Sequence, residues 1–211
     1  MTEKDEAIYR IAGLLPGEDI DQESVQTTTR LLLEAIGENP EREGLLRTPE
    51  RVAQMYNELL AGYRTDPITL VNGAIFEVDY DEMVIVRDIE FYSLCEHHLL
   101  PFVGRAHIAY IPKGKVIGLS KIPRIVDLFA HRLQLQERMT RQVADFINEL
   151  LQPHGVAVVL EAFHLCTMIR GVKKHDARMT TSAMLGYFRS KIATRQEFLD
   201  NISRGAEALS I

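Results

Sequence analysis

The chain has 211 residues, 46% apolar and 26% charged, with a formal net charge of −6. That length can bury a substantial core, and the acidic balance argues against nonspecific nucleic-acid binding. No apolar run approaches the roughly 18 residues a membrane span needs, and the charged opening lacks a secretory apolar segment, so a soluble cytoplasmic protein is expected.

The first third reads as helical. Glu3 to Leu15 forms a short candidate helix, ended by Pro16-Gly17. Ser24 to Ile36 carries Leu31, Leu32, Leu33 and Ile36 and stops at Gly37. Thr48-Pro49 is a helix start, with Thr as cap and Pro at the first helical position. Beyond it Val52, Met55, Tyr56, Leu59 and Leu60 follow the spacing of one buried face.

The character changes near residue 75. Met83 to Phe91 is β-branched and strand-like, and Val103 to Ile111 reads as its hairpin partner. Two helices are expected next, over Lys121 to Arg132 and Glu137 to Leu151. Val156 to Met168 then reads as a strand, Met179 to Phe188 as its partner, and Thr194 to about Ser203 as a last helix. This is an α+β order, strand-strand-helix-helix-strand-strand, with mostly antiparallel pairing. Residues 1–74 are expected to be a helical extension and 75–211 the main α+β domain.

The chain has two cysteines, and each lies close to histidine: Cys95-Glu96-His97-His98 and His164-Leu165-Cys166. In a reducing compartment these are thiols or thiolates before they are a disulfide. Residues three apart on a tight turn can grip one ion. Residues two apart on a strand share a face, so His164 and Cys166 are expected side by side on the strand over 156–168. Either segment alone fits buried structural residues as well as a metal site. Together they suit one zinc ion with three protein ligands and a position left for water. Spacing favours His98 over His97 as the ligand but does not decide between them. His97 and His164 are candidates for proton transfer.

Several segments together resemble GTP cyclohydrolase I. They are Cys95-Glu-His-His, Gly118-Leu-Ser-Lys-Ile-Pro-Arg124, Gln134-Leu-Gln-Glu-Arg138, His164-Leu-Cys-Thr-Met-Ile-Arg-Gly171 and Thr180-Thr-Ser-Ala-Met-Leu-Gly186. The resemblance covers about residues 48 to 200. It departs from the family's habit at Thr167 and over Lys173 to Arg178, outside those motif residues that carry the chemistry.

The resemblance implies the tunnelling fold with an antiparallel ββααββ core, a zinc ion, and a homodecamer with active sites between subunits. The implied reaction converts GTP to 7,8-dihydroneopterin triphosphate and formate. Cys95, His98 and Cys166 would ligate zinc, and His97 and His164 would transfer protons. Ser120, Lys121, Arg124 and Arg170 would hold the triphosphate or ribose, Ser120 also assisting when the ribose opens. Arg51 would reach a phosphate from a neighbouring subunit. Glu137, with Gln136, would bind guanine. An ionised carboxylate offers two acceptors to the adjacent N–H donors of guanine, whereas adenine would set a ring-nitrogen acceptor against it. A nitrile reductase of the same fold and a noncatalytic zinc-stabilised scaffold are the competing readings. The first has no need of both cysteine–histidine segments, and the second would close its metal with four protein ligands.

Overall fold

The computed structural model describes residues 2–13, 19–71 and 73–203. Among these, the chain begins with α1 (Glu3–Ala12), α2 (Gln22–Ala35), α3 (Thr48–Leu59), a 3-10 turn at Ala61–Tyr63 and the short α4 (Pro67–Val71). Thr2 and Asp5 cap the start of α1 reciprocally, each side chain meeting the other's backbone N–H. Gly13 ends it in the left-handed region, at φ 61°. The expected residues Leu14 to Gly17 lie outside the described residues.

The central sheet has the order β5-β2-β3-β6-β7. Its strands are β2 (Val84–Cys95), β3 (Pro101–Ile111), β5 (Leu133–Gln134), β6 (Gly155–His164) and β7 (Met179–Gly186). All pairs are antiparallel except the short β2–β5 pair. A separate ribbon joins β1 (Ile75–Glu77) to β4 (Lys115–Ile117). The sequence gives no periodic signal for strands this short.

One face of the sheet is covered by α5 (Lys121–Ala130) and α6 (Gln136–Leu151). Ile122, Ile125, Val126 and Phe129 of α5 are fully buried there, as are Met139, Val143, Phe146 and Ile147 of α6. Their recurrence at intervals of three, four and seven residues is what one buried helix face requires. On the other face α9 (Ile192–Ser203) lays Phe198 against Phe188, Ala109, Ala157 and Val159.

The N-terminal helices meet this body unequally. Ile8 of α1 and Val71 of α4 join the main core, and Lys4 donates to the Leu150 carbonyl of α6 at 2.7 Å. Arg132 ties the layers further, its guanidinium donating to the Ala12 and Gly62 carbonyls. Gly62 has no room for a side chain, because a Cβ there would come within 2.4 Å of the Leu128 carbonyl. By contrast, α2 and α3 pack chiefly on each other. The expected buried stripe of α3 is incomplete: Met55 is exposed and only Ala53 is fully buried.

The expected strand over 156–168 is shorter than its apolar composition suggests. Pairing with β3 ends at Phe102↔His164. The chain then turns into the short helix α7 (Leu165–Met168), with the Thr167 hydroxyl donating to the His164 carbonyl at 2.9 Å. Cys166 is therefore helical, and the expectation that it shares a strand face with His164 is corrected. Side chains advance by about 100° per helical residue and do not alternate as on a strand.

Candidate functional site

The end of β2 and the start of α7 build the centre of the site. Cys95 is the last residue of β2 and is 5% exposed. Its carbonyl accepts from the N–H groups of His98 and Leu99, and its own N–H donates to the Leu100 carbonyl at 2.9 Å. Leu99 closes this turn at φ 55°, a conformation costly for a γ-branched residue. The turn carries His98 back over Cys95. Cys166, half-buried on α7, comes from the other side.

One ligand atom from each of Cys95, His98 and Cys166 lies within 4.8 Å of the other two. Both thiols are free, not bridged. Burial, and then the facing Cys95 thiol, push the Cys166 thiol up from its ordinary value. Two thiols and an imidazole converging this closely fit a borderline-soft divalent ion and not magnesium or calcium. His97 stays outside that trio, with its Nδ1 3.8 Å from Cys95 Sγ and its ring at right angles to that of His98. Of the two histidines that spacing left open, it is His98 whose ring nitrogen lies within 4.8 Å of both thiols.

Around the trio stand other residues singled out from the sequence. His164 ends β6, its Nε2 2.8 Å from the Gln136 Oε1. Burial pushes this imidazole down, while the nearby Glu137 carboxylate pulls it up. Glu137 is exposed in the first turn of α6. Arg170 follows α7 and donates to the Cys166 carbonyl at 3.4 Å. Gln136 is buried, with its amide engaged inside the chain.

The remaining candidates lie elsewhere. Ser120 and Lys121 open α5, whose other end abuts β2 through a 2.6 Å bond from the Ser93 hydroxyl to the Ala130 carbonyl. The start of α5 is thus about 15 Å, one ten-residue helix length, from its own β2-facing end. Lys121 donates to the Leu70 carbonyl at 2.7 Å. Arg124 lines a separate cavity of about 200 Å³ with Thr65, Leu70, Asp127 and His131. Arg51 is exposed in the first turn of α3.

Sequence reading missed Phe102, whose ring lies parallel to His164 at 4.7 Å. It also missed Thr140 and Thr181, whose hydroxyls meet at 2.6 Å beside Gln136. Strand register and the packing of α6 on the sheet bring these together, and neither is written in local spacing.

A family model described as GTP cyclohydrolase I matches residues 25–203. The chain belongs to the GTP cyclohydrolase I family. It is 59% identical over 175 residues to GTP cyclohydrolase 1 of Leptospira biflexa, covering 83% of this chain and 96% of that protein. It is also 59% identical over 175 residues to "GTP cyclohydrolase 1 1" of Pseudomonas aeruginosa, covering 83% and 94%. With GTP cyclohydrolase 1 of Methylococcus capsulatus it shares 56% over 180 residues, covering 85% and 97%. Among solved structures, the apo archaeosine synthase QueF-Like aligns at TM-score 0.42 and 17% identity, covering 49% of this chain and 93% of that one, too slight a likeness to carry weight. The GTP cyclohydrolase I match spans the cysteine–histidine trio and every residue proposed above for substrate.

Proposed function

We infer that this enzyme hydrolyses and rearranges GTP to 7,8-dihydroneopterin triphosphate with release of formate, the first step of pterin and folate biosynthesis. Family membership supports the reaction. The observation that carries it to particular atoms is the convergence of Cys95, His98 and Cys166 within 4.8 Å.

The reading assigns zinc to that trio. When bound there, zinc supplies Lewis acidity and lowers the pKa of a bound water to about 7. The chain's own groups do the rest. Glu137 accepts the adjacent N–H donors of guanine and sets the purine beside the trio. His97 and His164 serve as proton donors and acceptors. Arg170, at the end of α7, holds anionic oxygen close to the reacting ring.

Ser120, Lys121, Arg124 and Arg51 complete the reading only if they come from other copies. In their own chain Ser120 and Lys121 sit at the opposite end of α5 from its contact with β2. Basic side chains and the first N–H groups of α5 suit a triphosphate. The homodecamer with interfacial sites therefore belongs to this proposal, as do the tunnelling fold of residues 75–211 and the role of residues 1–74 as an extension that joins subunits. Among the described residues no helix is long and apolar enough to cross a membrane. A cytoplasmic setting suits the two free thiols.

The test is incubation of the zinc-assayed protein with GTP. Formate and a fluorescent pterin after oxidation are expected. Zinc bound without either product would leave only a metal-stabilised scaffold.

A further inference from the structure

The Gln136 side chain is engaged on both ends of its amide by groups of its own chain. The residue is 1% exposed. Its Nε2 lies 3.1 Å from the Leu160 carbonyl, 2.9 Å from the Met179 carbonyl and 3.1 Å from the Thr181 hydroxyl. A backbone carbonyl can only accept. Two carbonyls on one side of the amide therefore fix which end is nitrogen, an assignment that is otherwise open for a glutamine.

The amide oxygen then points the other way, 2.8 Å from His164 Nε2. An amide oxygen has no proton to give, so Nε2 of His164 carries one. In the neutral ring the lone pair is left on Nδ1.

Two further contacts hold this arrangement. The Thr140 hydroxyl donates to the Gln136 carbonyl at 2.7 Å, so across the 2.6 Å Thr140–Thr181 contact it is Thr181 that donates. That turns a lone pair of the Thr181 oxygen, and not its proton, towards Gln136 Nε2, whose two protons are shared among three acceptors. Phe102, paired with His164 across β3 and β6, stacks on the imidazole with the two planes parallel. Turning the ring to exchange its nitrogens would break the bond to Gln136.

We propose that Gln136 is a positioning residue that fixes His164 in the Nε2–H tautomer, so that any proton His164 exchanges with bound nucleotide passes through Nδ1. This rests on the reading of His164 as a proton-transfer group in the GTP reaction. It differs from a direct guanine contact by Gln136, which would have to give up the carbonyls or His164.

The test uses the full-length, metal-loaded enzyme. Gln136→Met removes the acceptor at similar side-chain length. Turnover of GTP should fall about 100-fold or more, the usual scale of lost acid–base catalysis, while KM moves less than about three-fold. Metal content should stay unchanged. A raised KM with unchanged kcat makes Gln136 a substrate contact and overturns the proposal, as does no change in either constant. Loss of metal together with activity makes its role structural and also overturns it.

Because Gln136→Met alters a buried position, neutron diffraction of the unaltered enzyme at alkaline pH gives a second readout. Deuterium on His164 Nε2 and a bare Nδ1 are expected. Deuterium on Nδ1 with a bare Nε2 overturns the proposal. If the unaltered enzyme releases no formate from GTP, the functional reading falls, and the neutron result still decides the tautomer.

Discussion

The two ends of α5 belong to differently finished parts of the molecule. Near its C-terminal end, β2, β6, α6 and α7 bring Cys95, His98, Cys166, His164 and Glu137 together within one chain. Near its N-terminal end, Ser120 and Arg124 are exposed and Lys121 donates to a backbone carbonyl. The helical hairpin shows the same incompleteness, leaving Leu31, Leu32 and Ile36 at 58%, 58% and 66% exposure. An apolar stripe on a helix asks for a covering surface. On the proposed reading, the metal half of the site closes inside a chain, whereas the phosphate half meets another copy.

The sharpest break in that contrast comes from the metal half. Cys166→Ser should lose metal and turnover together. The loss in metal affinity should exceed about 100-fold, the upper range for changes one shell further out. Metal analysis of the purified variant checks this, and one zinc retained per subunit removes Cys166 from the ligand set. Next in size is Glu137→Ala. Losing hydrogen bonds to a charged group should raise KM for GTP about 10- to 100-fold, with metal content intact. An unchanged KM takes Glu137 out of the base pocket.

The exposed half calls for a different kind of change. Leu32→Glu places a charge on the uncovered stripe of α2. It should shift the mass seen by light scattering to smaller species and cut activity about ten-fold or more, without releasing metal from the chain. Full assembly and full activity in this variant would detach the hairpin from self-association.

The smallest effect concerns stability away from the site. His107 is half-buried, and its Nδ1 accepts from the Asp88 N–H at 3.2 Å. Burial holds this imidazole below its ordinary 6.5, outweighing the upward pull of Asp88 and Glu161. As pH falls, the unfolded chain takes up this proton first. The contribution is therefore full above 6.5 and is lost as pH drops through 6.5 towards the folded value. In His107→Gln, the urea midpoint should depend less on pH over that range than in the unaltered protein. An equal dependence in both assigns it to other groups.

Much of the core was legible because periodicity and burial coincide. The α6 stripe of Met139, Val143, Phe146 and Ile147 is buried as its spacing requires. Cys95 and His98 converge as a three-residue turn allows. Cys166 was legible as a ligand candidate but not as a helical residue, because an apolar run continues past the point where pairing stops at His164. Met55 follows a core spacing yet is exposed, since spacing marks a face to be covered and not which chain covers it. The bond between Gln136 and His164 spans 28 residues. The register of β3, β6 and β7, with α6 packed on them, brings its supporting groups together.

The division of the site between chains can be tested by mixing two inactive variants. Cys166→Ser keeps the phosphate half, and Lys121→Ala keeps the metal half. Unfolded together and refolded into mixed assemblies, they should recover about a quarter of the unaltered activity, because under random assembly about one site in four draws both intact halves from different copies. Mixed assemblies that form, as confirmed by two distinct tags in one particle, yet remain inactive would contradict a site shared between chains.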